Sequence, residues 1–286
     1  MKPFPIPVVG LGPGSQPEDP DLSYMPLPRE IEGFDMPYLP TAEEVTNLAA
    51  AKQVMADLIT ALKAYDGDAS QYPVLDITHL DSENRALINQ LLGEGEVSAM
   101  TKPVAGGELR IQESVFAGIW RVLEEDGQGN VIADRIEACP IPHQVWQEAQ
   151  AFGRAEAVMP DPGNVPLMNA GYVMQEIAAK LSQPLGMEPH IINFSLLPMS
   201  PEDMAYIDSC LGGGNSGVFS RGYGKCRVMS TALKNVWKVQ YFNGMNSILL
   251  DTIEITRIPE VALASMEDLE DSLLRLEEAY EWLTGE

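Results

Sequence analysis

The chain has 286 residues, of which 45% are hydrophobic, and this composition predicts a globular protein rather than a disordered one. Its 42 acidic and 18 basic residues give a net charge of −24, which disfavours nucleic acid and anionic membranes as partners because both repel a negative surface. The three cysteines, an odd number, argue against a disulfide framework and favour the reducing cytoplasm, and no apolar run reaches transmembrane length.

The N-terminal residues 1–40 are rich in proline and glycine and predict an extended arm. Because prolines also interrupt its first residues, we expect neither a signal peptide nor membrane insertion. Residues 41–73 are predicted to contain the first helix, since Thr41 and Glu44 have the spacing of a capping box ahead of an apolar stripe with helical periodicity. Gly67 is expected to follow the end of this helix.

An internal duplication is indicated by residues 74–150, here called repeat one, and residues 191–268, repeat two. Matching residues recur 117 positions later in the pairs Trp120 and Trp237, Asp134 and Asp251, and Pro142 and Pro259. The glycines after the first helix of each repeat, Gly93 and Gly212, are 119 positions apart, so a small gap separates the two copies. A spacing shared by a tryptophan, an acid and a proline predicts a duplicated unit, and a period this long is not that of a solenoid.

Each repeat has the order strand, helix, then antiparallel strands, which predicts an α+β fold rather than a doubly wound parallel sheet. In repeat one a strand begins at Val74, and the following helix begins near Asp81 and ends at Gly93. In repeat two a strand over residues 191–196 precedes a helix whose start is marked by Ser200, followed by proline and two acids.

Two further segments flank the repeats. Residues 151–190 connect them and are predicted to contain a helix over residues 169–181, bracketed by prolines. Residues 264–286 are predicted to form a C-terminal helix, which Ser265 and Asp268 begin as a capping box.

No catalytic, metal or cofactor site is visible in the sequence. The residues that could ligate a metal are scattered, namely His79, His143, His190, Cys139, Cys210 and Cys226, and they lack the close spacing of a zinc or iron–sulfur site. A nucleophile elbow is also missing. These observations favour a binding protein over an enzyme. Cys139 is expected to be a buried structural thiol, with a redox or cluster-related role left open.

The duplicated acids and tryptophans have structural interpretations. Asp134 and Asp251 lie in the apolar phase of their strands, so each is expected to be buried and hydrogen-bonded or else displaced by a bulge. Trp120 and Trp237 are expected to pack in the cores of the two repeats.

The glycine turns after the first helix of each repeat are the candidate partner-binding segments. They contain Gly93, Glu94, Gly95 and Glu96 in repeat one, and Gly212, Gly213 and Gly214 in repeat two. These turns serve at least as helix C-caps, and their nearly bare backbone could also accept the chain of a partner.

The acidic residues are unevenly distributed. Residues 74–143 contain twelve acids and five bases, and residues 261–286 contain eight acids and one base, whereas residues 191–260 contain six of each. This distribution permits a basic partner on repeat one and the C-terminal helix, although solubility alone is an alternative explanation.

Five segments carry a resemblance to a known family: Leu11–Pro17, Met25–Pro28, Leu91–Val97, Trp120–Val122 and Ile258–Val261. With these segments the chain resembles, nearly end to end, the HupH/HyaF family of hydrogenase expression and formation proteins. The Leu-Leu-Gly-Glu-Gly-Glu-Val string at 91–97 is the most specific part of the resemblance.

The resemblance implies an accessory role in the maturation of membrane-bound nickel–iron uptake hydrogenases. We expect a chaperone, not an enzyme, that binds the hydrogenase small-subunit precursor before twin-arginine export. Other maturation proteins are also candidate partners. The alternative is an enzyme or carrier that acts on iron–sulfur cluster assembly of that subunit. The family brings no established catalytic residues, and no cofactor or metal is expected.

Overall fold

The computed structural model describes residues 48–68, 71–222 and 224–285. Within these residues there are six α-helices: α1 Ala49–Ala64, α2 Ser82–Leu92, α3 His143–Phe152, α4 Ala170–Leu181, α5 Pro201–Leu211 and α6 Met266–Thr284. They also contain ten strands: β1 Val74–Asp76, β2 Val97–Thr101, β3 Glu108–Glu113, β4 Ile119–Glu125, β5 Val131–Ala138, β6 His190–Asn193, β7 Gly213–Ser220, β8 Cys226–Thr231, β9 Val236–Phe242 and β10 Ile248–Ile255. The α+β class predicted from the sequence is confirmed.

All ten strands belong to one antiparallel sheet with the order β1-β5-β4-β3-β2-β7-β8-β9-β10-β6. The order of the first five strands is mirrored by the last five, so β2 and β7 meet at the centre and the short β1 and β6 form the edges. We call β1–β5 with α1–α3 the first half and β6–β10 with α4–α6 the second half. The end of the sheet at which β2 begins is called the upper end, and the opposite end is called the lower end.

The same hydrogen bonds recur in both halves. The indole Nε1 of Trp120 donates to the carbonyl oxygen of Cys139 at 2.9 Å, and the Nε1 of Trp237 donates to that of Thr256 at 3.2 Å. Both carbonyls lie nineteen residues after their tryptophan. Equivalent environments for the two tryptophans support the predicted duplication.

The start of the first helix in each half is fixed in the same way. The amide of Ala51 in α1 donates to Oδ1 of Asn84 at 2.9 Å, and the amide of Ala170 in α4 donates to Oδ1 of Asp203 at 3.0 Å. These side chains satisfy amides that a helix N-terminus would otherwise leave without an acceptor. The donors and the acceptors each lie 119 positions apart, as Gly93 and Gly212 do.

The two tryptophans share one core instead of occupying two. A central core on one face of the sheet combines Trp120, Val122, Val218 and Trp237 with Val145 of α3. It joins both halves, so the repeats are parts of one continuous unit. Separate cores lie in the two halves of the sheet, one under α1, α2 and α6 in the first half and the other under α4 and α5 in the second half.

The C-terminal helix α6 packs on the first half. Its buried residues Leu269, Leu276 and Leu283 belong to the same core as α1, and Lys63 pairs with Glu277 at 2.5 Å. The predicted capping box of Ser265 with Asp268 is confirmed, as is that of Ser200 with Asp203 at the start of α5. Among the described residues, no helix is both long enough and apolar enough to cross a membrane.

Some sequence expectations differ from the structure or fall outside it. The arm over residues 1–40 and the Thr41 capping box lie outside the described residues, and α1 is described from Ala49. The strand expected over residues 191–196 ends at Asn193, whose side chain accepts a hydrogen bond from the amide of Ser195 at 2.9 Å. The chain then forms a short 3-10 turn, which replaces the rest of that strand.

Candidate functional site

The backbone conformation of the first glycine turn, Gly93–Glu96, requires glycine at two positions. Gly93 ends α2 with a φ of 58°, and its amide donates to the carbonyl of Asn89 at 2.9 Å. The amide of Gly95 donates to the carbonyl of Glu113 at 2.7 Å, which brings the chain against β3. A Cβ on Gly95 would collide with the carbonyl oxygen of Ser114 and lie 2.9 Å from its carbonyl carbon. Both glycines are therefore required by the backbone path.

The second glycine turn, Gly212–Gly214, repeats this construction. Gly212 ends α5 with a φ of 65°, and its amide donates to the carbonyl of Asp208 at 2.9 Å. A Cβ on Gly214 would lie 2.5 Å from the carbonyl carbon of Ser230. Gly213 is exposed, and a Cβ there would have no atom within 4 Å. Only Gly213 of this turn is left without a structural reason for glycine.

The structure does not bring the two turns together. Pairing of β2 with β7 sets Val97 opposite Ser220 and Thr101 opposite Ser216, so each turn lies at a different end of this strand pair. Four residue steps along a strand cover about 13 Å. The first turn is therefore at the upper end of the sheet and the second is at the lower end, and they serve as separate surfaces.

The first turn belongs to an acidic surface, which we define as Glu94, Glu96, Glu267 and Asp268. All four side chains are exposed. Asp268, in the first turn of α6, and Glu96 both lie close enough to the buried Glu113 to act on its charge. Two segments separated by most of the chain thus place their carboxylates at the upper end of the sheet. Such an arrangement attracts positive charge.

Glu113 is a buried carboxyl that the sequence analysis missed. Its Oε1 accepts a hydrogen bond from the amide of Gly118 at 3.0 Å. Burial raises its pKa to about 7, and the negative charges of Asp268 and Glu96 add to the effect. The first half has this acid where the second half has the buried Ser230. The burial of Glu113 depends on packing across the β3–β4 turn, and this packing cannot be predicted from the residue types alone.

Asp134 and Asp251 have structural roles at equivalent positions. The amide of Asp134 donates to Oγ1 of Thr78 at 2.8 Å, and the amide of Asp251 donates to Oγ of Ser195 at 3.1 Å. Asp134 is buried and its carboxylate accepts from both Nε and Nη2 of Arg121, the latter at 2.5 Å. The expectation of a buried, hydrogen-bonded acid therefore describes Asp134.

The second half has a related group of polar side chains around Asp251, with different residues and different pairings. Lys238 takes the place of Arg121 and pairs with Asp208 at 2.8 Å, while the Asp251 carboxylate accepts from Nε2 of Gln240 at 3.2 Å. Burial raises the pKa of Asp251, and the charge of Lys238 opposes this change. Arg121 also donates from Nη1 to Oδ1 of Asn89 in α2, and Asp208 belongs to α5, so in both halves these side chains connect the sheet to a helix.

A second buried carboxylate, Glu137, anchors the loops around β1 and α3. Its two oxygens accept from the hydroxyl of Tyr72 at 2.8 Å and from Nε2 of Gln144 at 3.1 Å. The backbone amide of His143 donates to the same Tyr72 hydroxyl at 3.1 Å. Burial is the main cause that raises the pKa of Tyr72, and the nearby Glu137 charge adds to it. Glu137 is fully buried and the group joins three segments of the chain, which is a structural role.

The three cysteines are free and buried. Burial raises the pKa of the Cys139 thiol, and the negative charge of Glu137 raises it further. Burial also raises the pKa of Cys226 to about 11 and that of Cys210 above its usual value. Within the described ranges, no three His, Cys, Asp or Glu residues are grouped so that they could hold a metal ion. The geometry therefore favours structural thiols over redox or metal-binding ones.

Thiol labelling provides a direct check of this assignment. In the native protein at pH 7 we expect slow reaction with Ellman's reagent, because the thiolate is the reactive form and these thiols are buried and protonated. After unfolding in denaturant without reductant, three free thiols should react. A count of one free thiol, or rapid labelling of the native protein, would contradict the assignment.

The comparisons with known proteins agree on one family. The model of the HupH hydrogenase expression protein, C-terminal conserved region, matches two segments of the chain, residues 48–160 and 167–283. One family region thus matches both halves, each from the start of its first helix.

The chain is also similar to curated proteins over nearly its whole length. It is 42% identical to the hydrogenase expression/formation protein HoxQ of Cupriavidus necator in an alignment of length 288 that covers 99% of each chain. It is 39% identical to HupH of Rhodobacter capsulatus over 97% of this chain and 98% of that one, and 34% identical to the hydrogenase-1 operon protein HyaF of Escherichia coli over 96% and 95%. Among solved structures, the hydrogenase expression protein HupH from Thiobacillus denitrificans is 26% identical, with a TM-score of 0.35, and the match covers 38% of this chain and 96% of that chain.

Proposed function

Since this chain belongs to the HupH family of hydrogenase expression proteins, we propose that it acts in hydrogenase maturation as a chaperone for the immature iron–sulfur small subunit of a membrane-bound nickel–iron hydrogenase. It would bind this subunit in the cytoplasm before export and perform no chemistry on it. The observation that carries the proposal is the family membership, which extends over nearly the whole chain. Other maturation proteins are further candidate partners.

The acidic surface supports binding of a precursor. An export leader begins with positively charged residues, and the net charge of −24 together with the exposed Glu94, Glu96, Glu267 and Asp268 would attract it. At physiological salt this attraction extends over a Debye length of about 8 Å. Charge of this kind mainly accelerates the encounter, whereas apolar contacts prolong the complex.

The competing function is an enzyme or carrier for iron–sulfur cluster assembly. Such a protein needs accessible thiolates in a group, whereas the three cysteines here are buried and protonated at neutral pH. An ultraviolet–visible spectrum of anaerobically purified protein distinguishes the two functions. A chaperone without a cluster should show no charge-transfer bands at wavelengths longer than those of the protein absorption. A spectrum that corresponds to a stoichiometric amount of cluster would favour the carrier.

Charge reversal of the first glycine turn tests the acidic surface. We expect the double variant Glu94→Lys with Glu96→Lys to bind the precursor with an association rate constant about threefold to tenfold lower and a weaker dependence on salt. Both side chains are exposed, so the fold should be unchanged. Surface plasmon resonance at several salt concentrations would measure both quantities.

The matched control is the double variant Glu156→Lys with Glu188→Lys. It changes the net charge by the same amount at exposed positions of the connecting segment. If both double variants associate equally slowly, only the overall charge matters and the acidic surface has no special role. If neither changes the rate, electrostatic attraction of the precursor is refuted.

A further inference from the structure

A second exposed surface, apolar in character, lies in the second half at the upper end of the sheet. Its side chains are Leu196, Leu197, Met245, Ile248 and Leu249, which we call the apolar patch. Leu196 is 80% exposed, Met245 is 84% exposed and Leu249 is 63% exposed. Exposed apolar groups in a contiguous cluster mark interaction sites in soluble proteins more often than isolated ones do.

The strand register makes these residues neighbours. The pairing of β10 with β6 ends at Thr252 and Asn193, and the 3-10 turn Phe194–Leu196 that follows β6 still contacts β10. The amide of Asp251 donates to the hydroxyl of Ser195 at 3.1 Å, which holds the 3-10 turn of Phe194–Leu196 against β10. Leu196 and Leu197 therefore lie on the side of β10 near its start, which contains Ile248 and Leu249, while Met245 belongs to the hairpin that joins β9 to β10.

The duplicated half shows that the fold does not require this surface. The positions of Leu196 and Met245 correspond to the exposed His79 and Gln128 in the first half. Leu197 corresponds to Leu80, which is buried. At these three positions the second half exposes apolar side chains where the first half has polar or buried ones, whereas Ile248 and Leu249 correspond to Val131 and Ile132, which are exposed as well. The difference at Leu196, Leu197 and Met245 needs a reason other than folding.

The apolar patch and the acidic surface lie at the same end of the sheet. The acidic surface lies where β2 begins, and the patch lies where β10 begins. Four strand spacings separate β2 from β10, which is about 19 Å. About six residues of extended chain cover this distance. One short segment of a partner can therefore reach both surfaces.

We infer that the apolar patch binds an apolar run in the same partner segment whose basic residues contact the acidic surface. A segment with basic residues beside an apolar run has the composition of an export leader. The inference rests on the proposed function and adds where the leader is held. A second copy of this chain fits less well, because two molecules with a net charge of −24 repel each other.

The test uses the double variant Leu196→Asn with Leu249→Asn and the small-subunit precursor with its leader. We expect the dissociation constant to rise at least tenfold, mainly through faster dissociation, because apolar contacts are lost while the acidic surface is intact. The matched control is Val131→Asn with Ile132→Asn. These residues begin β5, the strand equivalent to β10 in the first half; their side chains are 49% and 54% exposed, and they lie at the lower end of the sheet. The control should bind within twofold of the wild type.

Three results would overturn the inference. Equal binding by the patch variant and the control would show that the patch is not used, with the proposed function still standing. A wild-type dimer that only the patch variant converts to a monomer, seen by light scattering at unchanged precursor affinity, would assign the patch to a second copy. Failure of the wild type to bind the precursor at all would remove the proposed function and this inference together.

Discussion

The variant Gly95→Ala is expected to lose about 3 kcal/mol of unfolding free energy, or to fail to fold. A Cβ at this position would collide with the carbonyl oxygen of Ser114, and backbone cannot move aside as a flexible side chain can. Overpacking of an interior contact costs about 1–3 kcal/mol, and a collision with fixed backbone lies at the upper end of that range. Urea denaturation followed by tryptophan fluorescence would measure the loss, because Trp120 and Trp237 are both buried in the central core.

The matched control is Gly213→Ala in the second glycine turn. No atom lies within 4 Å of a Cβ there, so the variant should be as stable as the wild type or slightly more stable. Equal stability of the Gly95→Ala and Gly213→Ala variants would show that the backbone path assigned to the first turn is wrong.

The variant Glu113→Gln is expected to become more stable than the wild type as the pH rises. Glu113 has a folded pKa of about 7, whereas the unfolded carboxyl titrates near 4.5. Between these values the native state holds a proton that the unfolded state has lost, so the wild type loses stability as the pH increases through this window. Glutamine stays neutral, and its Oε1 can still accept from the amide of Gly118.

The expected size follows from the shift in pKa. The full effect is about 3 kcal/mol, and the advantage of the glutamine variant should grow by about 2 kcal/mol between pH 5.5 and pH 8. Urea denaturation of both proteins at the two pH values would measure it, with Glu94→Gln as an exposed control on the neighbouring turn. A stability difference that does not vary with pH would contradict the burial of an ionisable Glu113.

Local signals in the sequence predicted helix boundaries well. The capping boxes at Ser200 and Ser265 and the glycines at the ends of α2 and α5 each fix a boundary through contacts within a few residues. Strand β7 was not predicted, because Gly213–Gly217 has the composition of a turn and lacks alternating apolar residues. Its extended form depends on pairing with β2 and β8, which are distant in the sequence.

The candidate site could be predicted only in outline. The first glycine turn was recognised, but the packing of Gly95 on Ser114 and the approach of Glu96 and Asp268 to Glu113 depend on the tertiary fold. The apolar patch could not be predicted from the sequence, because Leu249 continues the apolar alternation of β10 and this pattern predicts a core residue.

The most direct test of the proposed function compares two forms of one partner. Binding of the wild-type protein to the hydrogenase small-subunit precursor and to the same subunit without its leader would be measured by one method, such as isothermal titration calorimetry. We expect the precursor to bind at least tenfold more tightly, because its leader adds positively charged residues that the acidic surface attracts. Equal affinity for the two forms would refute recognition of the leader, and binding to neither form would refute the chaperone function.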